Sequence, residues 1–215
     1  MYGKSEKIGI FGGSFNPIHN GHMRIVEAAV RSFDLDHVLF VPNPNPPHKA
    51  GEAMPSGDIR ARMTARAIAG IPKYGLSTYE LRRGHDCYTY YTLGHFREKY
   101  PEDELYFIMG ADSLKTFPQW RYPAVISSLA VLCVACREDL ADAELRKLIS
   151  EMARQYHADI RLIPCSGIDV SSTQLREMAA GGEAFDDLVP SGVADLIRAN
   201  RLYLPEEETG ETGEE

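Results

Sequence analysis

The chain is short of positive charge: 23 Lys and Arg face 31 Asp and Glu, a formal net charge of −8 over 215 residues. A sequence-independent grip on nucleic acid needs a basic face, so no nucleic-acid partner is expected. Long apolar runs are also missing, and no stretch has the roughly 20 residues needed to cross a bilayer, so no membrane partner is expected. The start, "MYGKSEKIGIF", lacks the apolar core of a secretory signal. Cysteine is sparse, with Cys87, Cys133, Cys136 and Cys165 scattered through apolar surroundings rather than set out as a disulfide framework. A reducing cytoplasm is the expected location. Cys133 and Cys136 do form C-x-x-C, but an offset of three puts them on opposite faces of a strand, which marks core rather than redox or metal residues.

Two familiar phosphate motifs are absent as well. Gly9, Gly12 and Gly13 do not give G-x-G-x-x-G, and no G-K-[ST] follows them. A dinucleotide oxidoreductase and a P-loop ATPase both lose ground.

What is present is an alternation of strands and helices. "KIGIF" and "HVLFVP" are short apolar runs separated by "GHMRIVEAAVRSF", where Met23, Val26, Val30 and Phe33 recur at helical spacing. "LYFIMG", "LAVLCVAC" and "RLIPC" are further strand candidates, and Leu145, Leu148, Ile149, Met152 and Tyr156 mark another helix. This predicts an α/β fold with a mostly parallel sheet, helices on both faces, and ligands beyond the carboxyl ends of the strands. Residues 1–204 read as a single domain and 205–215, "PEEETGETGEE", as an acidic disordered tail. "PNPNPPHKAGEAMPSG" is too long for a tight connection and is a candidate mobile functional loop.

Chemistry concentrates at the first strand-to-helix turn, "GIFGGSFNPIHNGHM". Gly12 and Gly13 let backbone approach a phosphate, and His19, Asn20, Gly21 and His22 follow where free helix N–H groups and the positive end of the helix dipole collect. Taken alone, an H-x-x-H pair reads as readily as a loop residue and a cap. A zinc site lacks a third ligand at recognisable spacing. Later, "VSSTQLR" sets Ser171, Ser172 and Thr173 at a helix start with Arg176 one turn on, a phosphate site or else an ordinary N-cap with a surface arginine.

Together these two segments resemble the H-x-G-H and I-S-S-T-x-x-R signatures of the nucleotidyltransferase superfamily, with Val170 in place of Ile. Within it the chain is most similar to the bacterial nicotinate mononucleotide adenylyltransferases, through "VPNPNPPHK", "YTYYTL", "MGADSLKTFPQW" and "VPSGVADLIRANRLY". The resemblance implies a Rossmann-like fold and transfer of the adenylyl group of ATP to nicotinate mononucleotide by direct in-line attack, with Mg2+ bound mainly through the ATP phosphates. It places His19, His22 and Arg176 in catalysis. Gly12, Gly13, Ser14, Gly110, Asp112, Ser171, Ser172 and Thr173 join them around ATP. Asn16, Lys49, Thr89, Trp120 and Arg121 fall to the mononucleotide: Trp120 stacks on the pyridine ring, and the backbone N–H groups of Thr89 and Arg121 receive its carboxylate. Arg121 stands where many relatives carry an aromatic residue. A homo-oligomer is compatible with the sequence. The rival readings are a phosphopantetheine adenylyltransferase and a nucleotide sensor without turnover.

Overall fold

Alternation of apolar residues along the strands decides the architecture, because successive side chains on a strand point to opposite faces. The protein is described by a computed structural model over residues 5–44, 54–84, 87–137, 143–165 and 170–205. Six strands, β1 (Lys7–Gly13), β2 (His37–Pro42), β3 (Tyr74–Leu76), β4 (Glu104–Gly110), β5 (Val131–Arg137) and β6 (Ile160–Cys165), form one sheet. Their order is β3-β2-β1-β4-β5-β6, and every pairing is parallel.

In β1 and β4, Ile8, Ile10, Leu105 and Phe107 face one apolar cluster, while Phe11, Tyr106 and Ile108 face the other. Helices α1 (Asn20–Phe33), α2 (Gly57–Ile68), α8 (Ser172–Ala180) and α9 (Val193–Ala199) cover the Phe11 side through residues such as Val26, Met63, Leu175 and Ile197. Helices α4 (Thr89–Lys99), α5 (Ala111–Thr116), α6 (Pro123–Leu129) and α7 (Ala143–Tyr156) cover the other through Phe96, Leu114, Ile126 and Leu145. A short α3 (Tyr79–Arg83) precedes α4. The sheet is thus covered on both faces, and Cys133 and Cys136 fall in different clusters. None of the four cysteines is in a disulfide.

Some boundaries differ from the sequence reading. Leu129, expected in a strand, ends α6, and β5 starts at Val131. β3 is only three residues long, too short to show a period. Among the described residues no helix is long and apolar enough to cross a membrane.

The strand order reverses at β1, whose neighbours are β2 and β4. The chain leaves β1 for α1 on one face and β4 for α5 on the other, so a crevice opens at the carboxyl ends of these two strands.

Candidate active site

The turn after β1 is built from residues that leave no slack. A Cβ on Gly13 would lie 3.1 Å from the Phe15 ring, so only glycine lets this aromatic fold back under the strand end. Phe15 itself is at φ 45 and almost fully buried. The turn ends at His19, the extended N-cap of α1, with His22 in its first turn.

The two imidazoles form a pair. Backbone N–H of His19 donates to Nδ1 of His22 at 3.2 Å, and the ring centroids are 3.7 Å apart. This is half of a capping box, with histidine in the position usually taken by Glu or Gln. Burial lowers His19 to about 4, and burial together with the neighbouring His19 holds His22 well below its ordinary value. Both rings are therefore neutral near pH 7. Because Nδ1 of His22 accepts a hydrogen bond, its proton sits on Nε2, which remains a donor. Nδ1 of His19 is buried without a hydrogen-bond partner among the described residues.

The second signature docks on the first. Ser172 Oγ donates to the Pro17 carbonyl at 3.0 Å, and Arg176 donates to the Asn16 carbonyl at 3.0 Å and to Thr173 Oγ1 at 3.2 Å. Ser171 caps α8 by accepting from Gln174 N at 3.1 Å, so the ordinary N-cap reading describes its hydroxyl. Arg176, in contrast, is no loose surface arginine. Segments about 155 residues apart thus meet at one turn, next to the free N–H groups of two helices, α1 and α8.

Beside this turn lies a cleft of about 600 Å3, within the range of small-molecule sites. Its lining includes Gly12, Gly13, Thr89, Asp112, Trp120 and Arg121, six of the residues the sequence reading singled out. Trp120 is half-buried and held edge-on to Phe107 with centroids 6.1 Å apart, while its indole N–H donates to Thr116 Oγ1 at 3.3 Å. Thr89 opens α4, where first-turn N–H groups have no helical acceptor. The Arg121 guanidinium rests over the Tyr88 and Tyr122 rings at 5.2 and 5.6 Å. Asp112 is exposed and paired with Lys115 at 3.2 Å. Gly110 ends β4 with open space where a Cβ would be. Ser14 leads into the turn, its carbonyl accepting from Arg60 at 2.6 Å.

One placement departs from a simple two-substrate division. Asn16, expected at the mononucleotide, is 1 % exposed and is not among the residues lining the cleft. Lys49 and its neighbour His48 lie outside the described residues.

Three residues escaped the sequence reading. Arg60 is fully buried and donates to the carbonyls of Ser14, Asn43 and Pro55, joining the ends of β1 and β2 to α2. Its signal is visible in hindsight: Arg60, Met63, Thr64 and Ala67 follow the i, i+3, i+4, i+7 spacing of a buried helix face. Glu80, on the cleft wall, accepts from Thr92 Oγ1 at 2.6 Å and is raised by burial to about 7. Tyr203 donates to Asn16 Oδ1 at 2.7 Å. Among the described residues no group of three or more His, Cys, Asp or Glu could hold a metal ion.

Known proteins share this plan. Residues 10–178 match the family described as cytidylyltransferase-like. A protein of Clostridium botulinum (strain Alaska E43 / Type E3), named probable nicotinate-nucleotide adenylyltransferase, is 36% identical over 201 residues, covering 94% of this chain and 100% of the relative. One of the same name from Geotalea uraniireducens (strain Rf4) is 41% identical over 213 residues, covering 92% and 98%. Plasmodium falciparum nicotinic acid mononucleotide adenylyltransferase complexed with NaAD superposes with a TM-score of 0.75 at 18% identity, covering 92% of this chain and 97% of that one. At that identity the likeness speaks to the fold.

Proposed function

Because the chain belongs to the cytidylyltransferase-like family, and within it to the nicotinate-nucleotide adenylyltransferases, we propose that it transfers the adenylyl group of ATP to nicotinate mononucleotide. The products are nicotinic acid adenine dinucleotide and pyrophosphate. The observation that carries this reading is the meeting of the two signatures, through Arg176 on Asn16 and Ser172 on Pro17, beside a cleft that presents Trp120.

The nucleophile is a phosphate oxygen of the mononucleotide, already anionic at neutral pH. It attacks the α-phosphorus of ATP in line, a P–O bond forms, and the bond to pyrophosphate breaks. No covalent enzyme intermediate and no catalytic base are needed, so the protein supplies position and charge stabilisation. In this reading His22 donates from Nε2 to an α-phosphate oxygen as negative charge builds there. His19 attends the phosphate chain, and Thr173 and Arg176, with the α8 N–H groups, among them that of Ser172, whose hydroxyl proton is given to Pro17, take the β and γ phosphates. Ser171 only accepts in the cap, so its hydroxyl proton stays available to a phosphate oxygen. The glycines and Ser14 let the triphosphate lie close to backbone, and Asp112 is assigned to the adenylyl ribose.

The mononucleotide takes the other end of the cleft. Trp120 offers its face to the pyridine ring, and backbone N–H groups of Thr89 and Arg121 receive the carboxylate, a choice that favours the acid over the neutral amide. Magnesium arrives with ATP as part of the substrate. Carried by the phosphates and water, the cation would neutralise charge on the pyrophosphate.

The test is pyrophosphate release with magnesium and ATP, comparing nicotinate mononucleotide, nicotinamide mononucleotide and phosphopantetheine. Strong preference for the first is expected. Preference for phosphopantetheine would overturn the substrate, and silence with all three would leave a nucleotide sensor.

A further inference from the structure

Four side chains from distant parts of the chain converge on the five-residue turn between β1 and its histidines. Arg60 reaches the Ser14 carbonyl at 2.6 Å, Arg176 the Asn16 carbonyl at 3.0 Å and Ser172 the Pro17 carbonyl at 3.0 Å. The fourth is Tyr203, whose hydroxyl donates to Asn16 Oδ1 at 2.7 Å across 187 positions of sequence. Residue 203 lies beyond 10–178, the span that matches the family. It stands in the C-terminal segment "VPSGVADLIRANRLY", to which no substrate contact is assigned.

Several features show that this contact is built. Tyr203 sits at φ 66, in the left-handed region that an aromatic residue adopts only when its surroundings require it. The turn before it is closed by Leu202 N donating to the Ile197 carbonyl at 3.0 Å, which fixes Tyr203 to the end of α9. That helix is already anchored in the core by Val193, Ala194 and Ile197. The phenol is thus not needed to hold α9 down, and its polar end is spent on the turn. Burial raises the hydroxyl above its ordinary value, so it stays protonated and stays a donor. A second tie runs in parallel: Asn20, in the first turn of α1, donates to the Asp187 carbonyl at 2.8 Å.

We infer that Tyr203 is a positioning residue for the reaction: through Asn16 it holds the turn that aims His19 and His22 at the triphosphate. This rests on the adenylyl-transfer reading above. The logic is that of a second support behind the contacting groups. A turn with a buried Asn and a left-handed Phe15 has few internal hydrogen bonds to keep its shape, so its aim depends on outside donors. Loss of the hydroxyl leaves Asn16 Oδ1 buried with its partner gone, and the turn relaxes to find another.

The experiment is Tyr203→Phe, which keeps the ring and its packing, read by kinetics in both substrates and by calorimetric titration of ATP. The expected result is a loss of about tenfold in kcat/KM for ATP, with KM for nicotinate mononucleotide unchanged within about twofold. Asn16→Ala in the Tyr203→Phe background should add little, because both changes remove the same contact. Kinetics within about twofold of the parent in a folded variant would overturn the inference. So would equal weakening of both substrates together with a lowered Tm, which is the mark of a purely structural role. Should the parent bind ATP and yet release no pyrophosphate, the adenylyl-transfer reading fails by itself. Tyr203 is then judged on ATP affinity, which must fall about tenfold in the variant for the inference to stand.

Discussion

The backbone N–H of His19 points at Nδ1 of His22, 3.2 Å away, and this contact decides which nitrogen of His22 carries the proton. With Nδ1 accepting and the ring neutral through burial, Nε2–H is the only donor His22 has. A neutral donor whose proton is already in place needs no reorganisation as charge develops on the α-phosphate. His22→Ala should lower kcat by roughly 100- to 1000-fold, the usual loss for one transition-state donor. A folded variant with near-normal kcat would remove His22 from that role.

The same burial gives the pair a pH signature. His19 is held at about 4, below the 6.5 of an unfolded histidine. Between those values the unfolded chain binds a proton that the folded chain refuses, so stability falls as pH drops from about 6.5 towards 4 and rises again in the other direction. At its steepest the slope is about 1.4 kcal/mol per pH unit for one such group. Urea unfolding at pH 7, 6 and 5 should show the parent losing stability faster than His19→Gln. Parallel slopes would mean that His19 is not held neutral.

Much of this was legible in the sequence, and the pattern of success has a physical basis. The strand "HVLFVP" coincides with β2 because a continuous apolar run bounded by polar residues has one solution in a sheet covered on both faces. Thr89, Trp120 and Arg121 stand in segments that resemble the family, and the fold sets all three in the lining of one cleft. Other features depend on tertiary contact and leave little local trace. Tyr203 meets Asn16 across 187 positions of sequence, with every strand after β1 lying between them in the chain. Arg60 carries a local trace, its place on the buried face of α2, but the three carbonyls that receive it come from segments that no periodicity brings together. Asn16 is expected at the mononucleotide from its place in the first signature, and the bonds it makes run to Arg176 and Tyr203.

Trp120 is the chain's single tryptophan, which makes its site readable directly. Its ring is oriented by Phe107 and Phe117, at 6.1 and 5.5 Å between centroids, and by the bond to Thr116, so an aromatic ring lining the cleft is held ready for a flat ring at little entropic cost. Trp120→Ala should raise KM for nicotinate mononucleotide about tenfold or more and leave ATP binding intact. In the parent, intrinsic fluorescence should respond to the mononucleotide. Equal damage to both substrates would count against stacking.

Glu80 supplies a signature of opposite sign. Its carboxyl lies on the cleft wall, 7% exposed, with Thr92 Oγ1 donating to it at 2.6 Å. Burial raises it from 4.5 to about 7, and the hydrogen bond from Thr92 offsets only part of that shift. The folded chain therefore keeps a proton that the unfolded chain has already released, and stability falls as pH rises from about 4.5 through 7. Over that interval the loss amounts to about 3 kcal/mol. Glu80→Gln retains an acceptor for Thr92 and carries no charge to bury, so it should raise Tm at pH 8 while changing little at pH 5. A Tm gain of the same size at both pH values would show packing rather than ionisation at work, and a loss at pH 8 would mean that the folded protein stabilises the charged carboxylate. Because Glu80 shares the wall with Thr89, the same variant should also flatten any rise in KM for nicotinate mononucleotide between pH 6 and 8, since one carboxylate fewer then faces the substrate's own.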